Sequence, residues 1–212
     1  YARRRSVRRR LVLHSWRMLG ANYRDDALGE GVSGRVDADP RWRMAPVDCQ
    51  TFVETDLALS LAGTLDEARE WLDRIRYRGR TVAYAKRNHF MVGQWLPHLQ
   101  GLGILREATE RLSGAEITSL DIDYDAINWA SIPRRFLPEH FAVEHVPTGQ
   151  FTLPYMSVDQ FAEVAETVPS GTLLLLVRAP RPLIPVRVSH LGFVVRAKRG
   201  DRAVFRHASR EG

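Results

Sequence analysis

The chain has 212 residues, 44% of them hydrophobic and 26% charged, with a single cysteine. That composition suits a globular domain able to bury roughly 70% of its unfolded surface and excludes disorder over most of the length. One cysteine excludes an internal disulfide framework and a Cys-rich zinc site. No stretch approaches the roughly 18 apolar residues of a spanning helix, so stable membrane insertion is not expected. The net charge is +6, and Arg3, Arg4, Arg5, Arg8, Arg9 and Arg10 account for all of it. The remainder is balanced, which argues against nucleic acid as a partner, because a nucleic-acid-binding domain carries its positive charge on the folded surface. Residues 1–10 therefore read as an Arg-rich N-terminal segment, solvated or drawn to polyanions, and residues 11–212 as one domain. The chain opens on Tyr1, so a native start, with any export signal, is expected upstream.

In chain order, the spacing predicts a helix over residues 6–19, with Val7, Leu11, Ser15 and Met18 on one face and Gly20 closing it. Residues 21–47 read as loop. A helix over 49–62 follows, with Val53, Leu57 and Leu61 at spacing four and Asp48 as N-cap. Thr64-Leu65-Asp66-Glu67 opens a third helix, with Ala68, Trp71, Leu72 and Ile75 on one face. Residues 86–112 are mixed, with a short helix near 104–112. Pro133, Pro138, Pro147 and Pro154 forbid long helices over 114–156. Ser157-Val158-Asp159-Gln160 is a capping box for a helix to about Thr167. Strand-like runs follow at 172–178, 186–196 and 203–208. Leu173–Val177 reads as a buried strand, and Lys198-Arg199-Gly200-Asp201 as the turn of a hairpin between the second and third runs. Helices first and an antiparallel sheet last predict an α+β domain.

Two motifs fail on context. Gly29-Glu30-Gly31-Val32-Ser33-Gly34 matches G-x-G-x-x-G but has no strand before it and no helix opening at it, so it reads as a flexible surface loop. His140 and His145, five apart, share no face of a helix or strand, and no metal site is expected.

Cys49 is better placed for chemistry. With Asp48 as N-cap it is the first residue of a helix, where the dipole and free N–H groups favour a thiolate and can hold an oxyanion. A thiol nucleophile needs a base, and His190 lies within the apolar run Val188-Ser189-His190-Leu191-Gly192-Phe193-Val194, with Gly192 leaving space beside it. Antiparallel pairing about a turn near 199 sets His190 opposite about residue 208, within one of His207. A second imidazole there can fix the tautomer of the first.

Asp48-Cys49-Gln50-Thr51-Phe52-Val53-Glu54, Ser189-His190-Leu191-Gly192-Phe193 and His207-Ala208-Ser209 together resemble the papain-like cysteine hydrolases of bacterial cell walls, the NlpC-type superfamily. Within it they are similar to the N-acetylmuramoyl-L-alanine amidase-like family. Arg76-Tyr77-Arg78, and Arg87-Asn88-His89-Phe90 followed by Trp95, resemble that family as well. So does Gly20-Ala21-Asn22-Tyr23, with Asn22 where proline is usual. The resemblance implies a papain-like single domain, a helical half with the cysteine at a helix N-terminus packed on an antiparallel sheet. It implies Cys49 as nucleophile, His190 as general base and His207 as the orienting third member, with no cofactor. Tyr23, Asp48, Arg87, His89 and Trp95 would line or support the cleft. A ring of Trp95 or Tyr23 would stack on a sugar, and Arg87 would pair with a substrate carboxylate. The implied substrate is peptidoglycan or a muropeptide, cut at the N-acetylmuramoyl–L-alanine amide, in an exported, periplasmic or cell-envelope setting. The alternatives are an endopeptidase cutting the γ-D-glutamyl–diamino acid bond, with Asp48 holding the free amine of L-alanine, and a non-catalytic wall-binding protein.

Overall fold

A computed structural model describes residues 6–114, 117–138, 140–179, 181, 184–196 and 202–210. The chain divides into two compact units, one of Tyr1–Arg87, Val168–Leu175 and His190–Gly212, the other of Asn88–Thr167 and Leu176–Ser189.

The first unit is built on three helices. Helix α1 (Val7–Arg17) buries Leu11 and Ser15, and Gly20 lies beyond its end at φ +79°, a value a residue without Cβ adopts freely. Val7, expected on the buried face, is exposed, because it opens the helix. The border expected after residue 10 falls inside α1. Arg10 is buried and its Nη1 donates to the Ala62 carbonyl at 2.9 Å, so the last of the six arginines belongs to the interior.

Helix α2 (Cys49–Leu61) starts at a complete capping box: Asp48 Oδ1 accepts the Thr51 N–H at 2.7 Å, and Thr51 Oγ1 accepts the Asp48 N–H at 2.9 Å. This helix is covered on nearly every side. Phe52, Val53, Leu57 and Ala58 are buried, and so are Thr51, Glu54, Thr55, Asp56 and Ser60. In α3 (Leu65–Arg76), Thr64 Oγ1 accepts the Glu67 N–H, while the Glu67 carboxylate reaches past the N-cap to the Gly63 N–H. Ala68, Leu72 and Ile75 bury completely, each large side chain contributing about 1.5–3 kcal/mol of apolar transfer. Trp71, expected with them, is half-buried, with the Arg74 guanidinium 4.0 Å from its ring centre.

Three strands form a sheet in the order β3 (Thr172–Val177), β4 (Val188–Val195), β5 (Val204–Arg206). Strands β4 and β5 pair antiparallel, Phe193 against Arg206, Val194 against Phe205 and Val195 against Val204. The turn expected at 198–201 lies outside the described residues. Helix α2 packs on β4 through the Phe52 and Phe193 rings, 6.1 Å between centres. Strand β3 is half-buried, with Leu176 44% exposed. Its unbroken apolar run predicts full burial, but a run without alternation cannot say that one face stays open.

The second unit departs more from expectation. Met91–Trp95 form a π-helical turn that continues into α4 (Leu96–Gly101). Gly93 and Pro97 hide this helix from a propensity reading: Pro97 brings no N–H to the ladder, and the π-helical turn lies directly before it. Only α5 (Thr109–Ser113) remains of the helix expected near 104–112. Strands β1 (Thr118–Asp123) and β2 (Gln150–Tyr155) pair antiparallel with Leu120 against Leu153 and Ile122 against Phe151. Thr152 and Gln150 donate to Asp121 and Asp123 at 2.8 and 3.0 Å. Both strands are edges, so Pro154 is tolerated. Helix α6 (Val158–Val164) carries the expected capping box. Phe90, Tyr124 and Trp129 form a buried aromatic core in this unit, the Phe90 and Trp129 rings 5.2 Å apart. No helix among the described residues is long and apolar enough to cross a membrane.

Candidate active site

Cys49, His190, His207, Asp48, Tyr23 and Arg87 all lie in the first unit. Cys49 is partly buried at the first position of α2. Backbone N–H groups of Leu191, Gln50 and Cys49 itself reach its sulfur. The helix-start position predicts a favoured thiolate. In the folded protein, burial and then the Asp48 charge outweigh those N–H groups and push the thiol up to about 11. Burial and the Asp48 charge thus favour the neutral thiol over the thiolate.

His190, one residue before Leu191 on β4, is half-buried, and burial followed by the His207 charge holds its imidazole below the ordinary value. Its Nε2 lies 2.7 Å from His207 Nδ1, and the rings meet edge to face at 4.7 Å. The observed register is one residue from the expected one. It sets Gly192, not His190, beside residue 207, so the two histidines meet as a diagonal pair on one face. A Cβ on Gly192 would stand 2.4 Å from the Arg206 carbonyl oxygen and 2.8 Å from His207 Cβ. The space beside His190 is therefore occupied by the third residue itself. His207 also stacks on Phe205, 4.7 Å between ring centres. With Nε2 of His190 engaged, Nδ1 is the atom left to take a proton from a neighbour.

Both oxygens of Asp48 are engaged. Beyond the Thr51 contacts, its Oδ2 accepts the Asp26 N–H at 2.9 Å. Tyr23 is held beside this point because residues 22 to 24 pair with Val47, the Val47 N–H donating to Asn22 and the Arg24 N–H to Val47. The half-buried Tyr23 hydroxyl donates to Asp25 at 3.0 Å, and its phenol is raised by burial, the Asp25 bond and the Cys49 charge.

Arg87 has a different role from the one expected. Its buried guanidinium cannot pair with a ligand carboxylate, because three side chains already hold it: Glu30 at 2.5 Å, Asp37 at 2.6 Å and Asp26 at 3.1 Å. Burial opposes its charge, but these carboxylates outweigh that and raise its pKa. The loop carrying them contains the rejected glycine motif, and these ion pairs tie it to Arg87. Glu30 is 5% exposed, and a Cβ on Gly29 or on Gly34 would stand 2.3 Å from Asp37. The glycines permit close packing around an arginine. Tyr77 donates to Glu30, and the buried Arg76 pairs with Glu54 and donates to the Leu28 carbonyl at 2.8 Å. Glu54 and Arg76 lie in the segments that carry the resemblance, yet only an acid on a covered helix face hinted at their pairing.

His89 and Trp95 fall in the second unit. His89 is partly exposed and stacks on His145 at 5.7 Å. Trp95 is 0% exposed. A fully covered indole cannot stack on a sugar, so Trp95 is a core residue.

Two substitutions test this construction. Arg87→Met leaves three carboxylates facing one another, two of them covered, and should cost about 3–5 kcal/mol, read by urea unfolding. A loss below about 1 kcal/mol would mean that water reaches them. Gly192→Ala forces β4 and β5 apart, with an expected loss of about 1–3 kcal/mol and loss of the NMR scalar coupling across the His190 Nε2–His207 Nδ1 hydrogen bond. Retained coupling would show that the strands give way without moving the rings.

The family model described as N-acetylmuramoyl-L-alanine amidase-like matches residues 14–212. Among solved structures, a protein of Legionella pneumophila is similar with a TM-score of 0.78 at 23% identity, over 98% of this chain and 79% of that one. An N-acetylmuramoyl-L-alanine amidase from Bacteroides uniformis is similar with a TM-score of 0.64 at 18% identity, over 96% and 85%. A Bacteroides fragilis protein named as a candidate xylanase gives 0.66 at 20% identity, over 94% and 87%. These likenesses establish the shared fold. No curated protein matches. With its match running from His14 to the last residue, the chain belongs to the N-acetylmuramoyl-L-alanine amidase-like family.

Proposed function

We propose that the protein is a cysteine-dependent amidase of the papain-like NlpC type. It hydrolyses the amide between N-acetylmuramic acid and L-alanine in peptidoglycan or its fragments, with Cys49 as nucleophile, His190 as general base and His207 as its orienting partner. The observation that carries this reading is the 2.7 Å contact between His190 Nε2 and His207 Nδ1. It sits on the strand whose next residue, Leu191, offers its N–H to the Cys49 sulfur. The family description supports the reaction class.

A thiol raised by burial beside an imidazole lowered by burial gives the order of events. As the Cys49 sulfur attacks the lactyl carbonyl carbon, His190 Nδ1 takes the thiol proton. The imidazolium donates from Nε2 to His207 Nδ1, which fixes its ring and lowers the energy of the charged form. Carbonyl oxygen charge develops beside the N–H groups at the start of α2. His190 then protonates the L-alanine nitrogen as the C–N bond breaks, leaving a thioester. Water attacks that thioester with His190 again as base, releasing the lactyl carboxylate and restoring the thiol. Tyr23 remains the ring beside the cysteine able to lie against a sugar. The alternative endopeptidase reading needs a carboxylate for the free amine of L-alanine, and both oxygens of Asp48 already accept N–H groups, from Thr51 and Asp26.

The test uses an intact muramoyl peptide and the same stem peptide without sugar, with products read by mass spectrometry. Cleavage of the first at the muramoyl–L-alanine bond, lost in Cys49→Ala and His190→Ala and reduced less in His207→Ala, is expected. Cleavage of the sugar-free stem between D-glutamate and the diamino acid would replace the substrate assignment, and an active Cys49→Ala would end the cysteine mechanism.

The pH dependence has a definite sign. His190 must be neutral to act as base, and its pKa is lowered, so kcat/KM should fall only below the ordinary histidine range of about 6.5. Ultraviolet thiolate absorbance of the free protein should rise toward about pH 11, where burial places the Cys49 thiol. Full thiolate absorbance at neutral pH that disappears in His190→Ala would instead show a resting thiolate–imidazolium pair.

A further inference from the structure

The buried guanidiniums described so far have partners: Arg10 a carbonyl, Arg76 and Arg87 carboxylates. Arg178 and Arg187 in the second unit do not. The Arg178 N–H donates to the Arg187 carbonyl at 2.9 Å, and Ser189 Oγ donates to the Leu176 carbonyl in the same antiparallel register. Arg178 and Arg187 are thus direct cross-strand neighbours whose side chains leave the same face, about 5 Å apart at Cβ. Like charges so placed repel. Here the repulsion is compounded by covering: Arg178 Nε, Arg187 Nε and Arg187 Nη1 are buried and bonded to nothing. No described carboxylate forms an ion pair with either side chain. The Tyr124 phenol, which burial pushes up to about 12, feels the Arg187 charge in the opposite direction, so the Arg187 head lies near a hydroxyl.

We propose that Arg178 and Arg187 form an oxyanion-binding site for a carboxylate- or phosphate-bearing ligand. Covered, unpaired cationic N–H groups are costly, and an anion removes both that cost and the repulsion between the two guanidiniums. The planar fork of each arginine matches a carboxylate or phosphate edge with two parallel hydrogen bonds. The outer Nη groups of Arg178 and Arg187 Nη2 are not among the covered atoms. An anion reaches the pair from solvent there, and rotation about the arginines' own side-chain bonds turns the covered Nε–H groups onto it. This site is independent of the reaction proposed for Cys49.

The experiment follows thermal unfolding of the full chain in sodium phosphate and in sodium acetate, each against sodium chloride at equal ionic strength. Wild type should gain Tm saturably in at least one of the two oxyanions. The Arg178→Gln/Arg187→Gln double variant should lose that gain while being no less stable than wild type in chloride, since the repulsion is gone. Arg187→Lys, which keeps charge without the fork, should fall between them. A response to acetate marks a carboxylate source, and a response to phosphate alone a phosphate source. Equal oxyanion dependence in wild type and double variant would reduce the effect to general salt action and overturn the proposal. If the double variant does not fold, arginine Nε–H resonances of the wild type titrated with phosphate and acetate decide the matter: unmoved signals overturn it.

Discussion

The Asp48 carboxylate is the constraint on which the rest of the first unit depends. It ends one segment, starts another and joins a third. One oxygen closes the capping box that begins α2 at Cys49, and the other takes the Asp26 N–H from the loop ahead of the helix. A side chain with this many bonds has a single orientation, and the helix start it defines cannot fray. The cost appears in the ionisation of its neighbour. Burial of the sulfur opposes a thiolate most and the neighbouring carboxylate adds to it, and together they outweigh the N–H groups that favour one. The residue that makes the helix start rigid thus also works against ready ionisation of the cysteine.

That loop is fixed in turn by buried charge. Arg87 gathers Asp26, Glu30 and Asp37, and Asp26 is the residue whose backbone binds Asp48. The arginine therefore reaches the cysteine through two short links without touching it. A parallel anchor, Arg76 with Glu54, fixes the middle of α2. Buried ion pairs contribute little net stability against well-packed apolar side chains, but removing one partner is expensive. Their effect in this unit is to give the loop over residues 24–40 one arrangement, and the glycines at 29 and 34 allow the chain to come close enough for it.

The histidine pair depends on the sheet in the same way. Gly192 has no side chain where His207 crosses β4, and the antiparallel register of β4 and β5 brings the two rings to hydrogen-bond distance. The chemistry available to His190 is set by which of its nitrogens remains free. That follows from a glycine and a one-residue choice of register rather than from the histidine itself.

The sequence by itself determined the elements with strong local signals. Asp48 with Thr51, Thr64 with Glu67 and Ser157 with Gln160 are caps whose donors and acceptors lie three residues apart, so local geometry alone dictates them. It also determined that Cys49 opens a helix and that His190 and His207 approach one another, because two strands joined by a short turn have few registers. Tertiary structure decided what distance in the chain conceals. The pairing of β1 with β2 joins segments some thirty residues apart with weak apolar alternation, and α4 contains a glycine and a proline that local propensity counts against it. Burial separated residues that look alike in one dimension. Trp95 and Arg87 are residue types that bind ligands as readily as they fill cores, and only the packing around them assigned both to the interior. The thiol's ionisation was decided there as well: the helix-start effect is local and legible, whereas desolvation depends on everything that surrounds the sulfur.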